Sequence, residues 1–133
     1  MLKLKRSFFD NPTARQAMIK LSTTNMLPAD IAYRVGRIAS RIDKEMPIAR
    51  DLAIQILKKH AILNEIGMLK GMEDGKFEFE SPEKEKLHDE EFRAMMDEGF
   101  EEKVLPIPLS ALAHVGLTPV ELLSIEAILD PNL

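Results

Sequence analysis

Arg34, Arg37 and Arg41, with Lys44, recur at intervals of three, four and three residues, so on a helix they share one face. A row of four cations suits the phosphates of a nucleic acid or the carboxylates of a protein. The same chain supplies an opposite partner, because residues 73–102 hold 13 Asp/Glu against 4 Lys/Arg. So dense an acidic face either keeps the chain soluble and pairs with the arginine row, or imitates a phosphate backbone and occupies another protein's nucleic-acid site. Pairing is favoured, since charge runs are common and mimicry is rare. Only Tyr33 interleaves the arginines, and no helix-turn-helix or RNA-binding pattern accompanies them, so direct nucleic-acid binding is the weaker expectation. A second candidate contact is Phe92 with the adjacent Met95 and Met96, adaptable apolar side chains that suit a partner's surface and equally suit a core.

Groups able to do covalent or metal chemistry are thinner. His88-Asp89-Glu90-Glu91 puts His88 and Glu91 on one helix face, enough to hold one ion weakly, with no second such pair to complete a di-metal site. His60 follows Lys58 and Lys59 in an apolar segment and reads as a hydrogen-bonded structural histidine. His114 precedes Val115-Gly116 in a loop context, and Ser110 lacks the glycines of a nucleophile elbow. Gly67, Gly71 and Gly75 are spaced by four, but no Gly-Lys-Ser/Thr follows, so they make no phosphate loop. There is no cysteine, which removes disulfides, thiolate catalysis and Cys-based metal sites. No constellation joins a nucleophile, a base and an orienting partner, and the expectation is a non-enzymatic protein with no cofactor and no metal.

The elements that must carry these residues are mostly helices. Asn11-Pro12 caps and opens the first, whose stripe is Ala14, Ala17, Met18 and Leu21 and whose end is Ser22-Thr23-Thr24-Asn25. Pro28 opens the second, with Ile31, Val35, Ile38 and Ile42 on one side and the arginine row on the other. Pro47 kinks that helix or divides it. The segment from Ile48 to Ile66 carries Leu52, Ile56, Leu63 and Ile66 on one face, widened by Ile54, Leu57 and Ala61, and reads as the most buried helix, with Gly67 as its C-cap. Asp74-Gly75 marks a turn, and Lys76-Phe77-Glu78-Phe79-Glu80 alternates as a short strand. Ser81-Pro82 opens an acidic surface helix to about Glu98. Val104-Leu105-Pro106-Ile107-Pro108 must be extended, Ser110 to Val115 reads as a short helical turn, and Thr118-Pro119-Val120-Glu121 is a capping box for a last helix to about Leu129. The predicted fold is mainly α. It has four to five helices, the second and third forming a central pair, and a minor two-stranded extended element joining Lys76–Glu80 to Val104–Pro108.

With 133 residues the chain suits a single domain, residues 1–133, able to bury a core without staples. Six Phe, one Tyr and no Trp leave the packing to Leu, Ile, Ala and Met. Residues 1–70 hold 13 Lys/Arg and 6 Asp/Glu, a charge of +7, while residues 71–133 hold 5 and 16, a charge of −11; together they make the net −4. Such halves fold against each other, the favoured arrangement, or stack head-to-tail between copies. No apolar run reaches the roughly 18 residues of a membrane span, and Met1–Asp10 lacks a signal peptide's apolar stretch, so the expected location is cytoplasmic, with no membrane partner.

The run Glu101-Glu102-Lys103-Val104-Leu105-Pro106-Ile107-Pro108-Leu109-Ser110-Ala111-Leu112, followed by Val115-Gly116-Leu117-Thr118-Pro119-Val120-Glu121-Leu122-Leu123, resembles a group of small bacteriophage and prophage proteins of unknown function. Leu27-Pro28, the long charged helices, the Asp-Gly turn and the acidic helix follow the group's order; the first 25 residues match little. The resemblance implies a phage setting, in the host cytoplasm or in a virion, and assigns no catalytic or ligand residue. The expected function is therefore that of an accessory or structural phage protein acting by protein contacts or self-assembly. The alternative is an interference protein that blocks a host nucleic-acid enzyme.

Overall fold

Leu2-Lys3-Leu4-Lys5 alternates without a break, and in β1 (Leu2–Lys5) both leucines are buried and both lysines exposed. The computed structural model describes residues 1–69 and 77–131. β1 pairs antiparallel with β2 (Gly99–Glu102), setting Leu4 opposite Phe100 and Lys3 opposite Glu101. That register joins the start of the chain's basic half to the middle of its acidic half.

After the short helix α1 (Ser7–Asp10), α2 (Pro12–Thr23) starts where Asn11 accepts a hydrogen bond from Thr13 N at 2.9 Å, and it buries the predicted Ala14, Ala17, Met18 and Leu21. The long helix α3 (Ala29–His60) buries Ile31, Val35, Ile38 and Ile42 on the predicted stripe. Pro47 does not divide it: α3 continues for 32 residues through the position, although proline supplies no donor for the carbonyl four residues back at Asp43. The expected second and third helices are thus one, and the long helices of the chain are α3 and α4 (Pro82–Asp97). The chain nevertheless parts at this residue into two compact units, Met1–Met46 with Gly99–Leu133, and Pro47–Glu98.

In the first unit, β3 (Ile107–Pro108) pairs parallel with β4 (Leu129–Asp130), and α5 (Pro119–Ser124) packs on α2. The expected partnership of Lys76–Glu80 with Val104–Pro108 does not form. Phe79 bridges to Ala61 instead, while Ile107 and Pro108 take the chain's C-terminal strand, and Lys76 lies outside the described residues with the Asp74-Gly75 turn. The predicted capping box opens α5: Thr118 Oγ1 accepts from Glu121 N and Glu121 Oε1 from Thr118 N. The helix is shorter than expected, because a 3₁₀ turn at Glu126–Ile128 leads into β4, and another covers Leu109–Leu112. Leu21, Val35, Ile38, Ile107, Ile125 and Ile128 are the fully buried centre of this unit.

The second unit is built differently. Ser81 caps α4, its hydroxyl accepting from Lys84 N at 3.3 Å. α3 ends at His60, seven residues before Gly67, so Gly67 is no helix cap. It sits in a turn at φ +80°, where Asn64 Oδ1 accepts from the amides of Ile66 and Met68. The segment expected to be the most buried is not. Between Pro47 and Leu69 only Ala49 is buried, and Ile48, Ile54, Leu63, Ile66 and Met68 are exposed. Among the described residues no helix is long and apolar enough to cross a membrane.

Candidate functional site

The arginine row lies on α3 in the first unit, opposite the buried isoleucines, and its cations are taken up inside the chain. Arg37 places Nη2 2.6 Å and Nε 2.9 Å from Glu102 Oε1, a two-nitrogen grip on one carboxylate oxygen, and Nη1 donates to Tyr33 Oη at 3.0 Å. The tyrosine bond first, and Glu102 second, hold this guanidinium above even the ordinary arginine value. Arg34 Nη1 donates to the carbonyl of Pro106 at 3.0 Å, fastening the Pro-punctuated segment to the helix. Arg41 Nη2 lies 3.1 Å from Glu45, and its guanidinium stands 5.4 Å over the Phe100 ring. Glu45 is buried and also faces Arg6 at 3.8 Å. Lys44 alone of the row is exposed without an ion pair to a described residue.

The predicted attraction between the charged halves is thus met within one chain, through Lys3–Glu101, Lys20–Glu121, Arg37–Glu102 and Lys59–Glu91. Lys20–Glu121, which sequence reasoning missed, has the most buried carboxylate of the four. Glu121 is 5% exposed, its Oε1 takes Lys20 Nζ at 2.7 Å and Thr118 N at 3.0 Å, and its Oε2 has no partner among the described residues. Lys20 first, then the Thr118 amide, holds this carboxyl below the ordinary glutamate value.

In the second unit His60, at the end of α3, meets α4, and His88 stands on α4 among aromatic rings. Lys59 Nζ donates to Glu91 Oε1 at 2.9 Å, and His60 Nε2 lies 3.1 Å from the same oxygen, out of line for a hydrogen bond. Lys59, then His60, keeps the Glu91 carboxyl below its ordinary value. The weak metal pair considered for His88 and Glu91 is split. His88 Nδ1 faces Asp89 at 3.0 Å, and its ring lies 5.3 Å from the tilted ring of Phe79 and stacks at 6.0 Å with that of Phe92. Among the described residues no group of three or more metal-capable side chains converges. Phe92 is half-buried, and Met95 and Met96 are buried, so the methionine pair is packing rather than an open contact patch.

Apolar side chains are exposed in both units, Ile19, Val120 and Leu123 in the first among them. The first unit holds a pocket of about 240 Å³ whose walls are Phe8 and Phe9 of α1, Met18 and Ile19 of α2, and Ile42 and Met46 of α3. Arg15 and Asp43 border it from α2 and α3. The second unit exposes Ile48, Ile54, Leu63, Ile66, Met68 and Leu87, and of the buried apolar side chains among the described residues only Ala49, Met95 and Met96 belong to it. Around α4, Glu83, Glu85, Glu90 and Asp97 are exposed without an ion pair to a described residue. The chain matches no family model, no curated protein and no solved structure.

Proposed function

We propose that this protein is a non-enzymatic accessory or structural component that works by stoichiometric contact with another protein, through the unit Pro47–Glu98. The observation that carries the reading is the poverty of that unit's core beside the apolar side chains it leaves in solvent, with Ile66 82% and Met68 53% exposed. Large apolar groups left in solvent gain about 25 cal/mol per Å² when another surface covers them. The exposed acids of α4, in the same unit, favour a basic partner, which they would steer into place. The setting implied by the C-terminal block is a phage or prophage, with the protein at work in the host cytoplasm or carried in a virion.

A second reading has its own support. Glu83, Glu85, Glu90 and Asp97, unpaired among the described residues, offer a partner's nucleic-acid site the negative charge of a backbone, which is interference by mimicry. Direct nucleic-acid binding through the arginine row is less favoured, since Arg34, Arg37 and Arg41 would first have to release Pro106, Glu102 and Glu45.

The test immobilises the full chain and an Ile54→Glu/Ile66→Glu variant and exposes both to lysate of the cells that carry its gene. The reading expects a protein retained in stoichiometric amount by the parent and lost from the variant, with equal thermal midpoints for the two chains. Identical retention by both overturns it. If excess duplex DNA displaces the retained protein, the mimicry reading takes precedence.

A further inference from the structure

The pocket between α1, α2 and the first half of α3 takes no part in either reading. Its walls are almost wholly apolar, and its volume of about 240 Å³ exceeds the roughly 150 Å³ of an apolar cavity that takes up benzene. Met18 and Met46 bring thioethers to it, and Phe8 and Phe9 bring rings, a lining that favours an aromatic or large aliphatic guest. The border is not apolar. Arg15 stands on α2 and Asp43 on α3; both are exposed, and neither pairs with the other or with any described residue. One cation and one anion, held apart on two helices that meet around an apolar hole, complement a zwitterion with an apolar side chain.

We propose that this pocket binds a free apolar α-amino acid, aromatic or large aliphatic. Its side chain enters among Phe9, Met18, Ile42 and Met46, its carboxylate meets the Arg15 guanidinium, and its ammonium meets the Asp43 carboxylate. The division of labour follows from exposure. Burial of the side chain supplies the affinity, because solvent-exposed ion pairs contribute only about 0.2–1 kcal/mol each. The two charges supply the selection, preferring a ligand that carries both over one that carries either.

The experiment titrates the full chain, labelled in its methionine methyl groups, with L-phenylalanine and follows the methyl resonances. The Met18 and Met46 signals shift saturably, and those of the buried Met95 and Met96 in the other unit stay in place. N-acetylphenylalanine, which lacks the ammonium, and phenethylamine, which lacks the carboxylate, each bind about two- to fivefold more weakly, the effect of one exposed pair. Arg15→Gln brings phenylalanine down to the affinity of phenethylamine and leaves phenethylamine unchanged; Asp43→Asn does the same relative to the N-acetyl compound. Ala39, on the α3 wall of the pocket, is the site of the filling variant: Ala39→Leu abolishes the shifts at an unchanged or raised thermal midpoint. The proposal is overturned if Met18 and Met46 show no saturable shift. It is equally overturned if Ala39→Leu folds and binds as the parent does, or if the three ligands bind alike, which would make the pocket an unselective apolar hole.

Discussion

Glu121 shows how one side chain can serve three purposes in so small a chain. It closes the capping box of α5, binds Lys20 of α2 and is buried in doing so. Its carboxyl titrates below its ordinary value in the fold, so the unfolded chain binds a proton more readily than the folded one. The stability it contributes is therefore complete above the ordinary glutamate value, and it is lost as pH falls through that value toward the depressed one. Glu121→Gln should flatten the acid limb of a denaturation midpoint measured from pH 7 down to pH 3, and an unchanged limb would contradict the assignment. Thr118→Ala, which removes the other half of the box, should cost about 1 kcal/mol in urea unfolding. The box itself was plain from Thr118 and Glu121 three residues apart. The Lys20 partner was not, because nothing local to Lys20 marks which distant acid it meets. Arg15 and Asp43 went unnoticed for the same reason: their significance lies in an apolar hole between helices, and no spacing in one segment encodes it.

At the scale of elements, the stripes that depend on local periodicity were legible, and the pairings that depend on tertiary choice were not. Ile31, Val35, Ile38 and Ile42 are buried as their spacing requires. The Leu2-Lys3-Leu4-Lys5 alternation is a strand signal that the sequence reading passed over, and its partner Gly99–Glu102, 94 to 100 residues away, could not be found without the fold. Pro47 is the instructive failure. Proline costs about 3 kcal/mol relative to alanine in a helix interior, but flanking turns that are already helical can carry it. Pro47→Ala should return a donor to the Asp43 carbonyl and raise stability, by at most about 3 kcal/mol, as measured by the thermal midpoint with helicity unchanged. A loss of stability would mean that the bond-free position is required by the junction between the units.

Across the whole molecule, apolar content and burial part company. Hydropathy marked residues 48–66 as the interior, whereas the buried centre is assembled from both ends of the chain, with Leu21 and Ile38 beside Ile107, Ile125 and Ile128. Apolar composition shows what gains by being covered and does not name the surface that covers it. Ile38→Ala should accordingly cost about 2–5 kcal/mol, as a full core truncation does, while Ile54→Ala should change the free chain by no more than about 0.5 kcal/mol. The claim at the centre of the account is that Pro47–Glu98 lacks a sufficient core of its own and is completed by contact. Hydrogen exchange of the free, full-length chain tests this most directly. The account predicts that amides of residues 50–60 and 86–97 exchange well before those of 16–23 and 33–46, by local opening that leaves the first unit folded. Equal protection in the two sets, lost together at one global free energy, would contradict it.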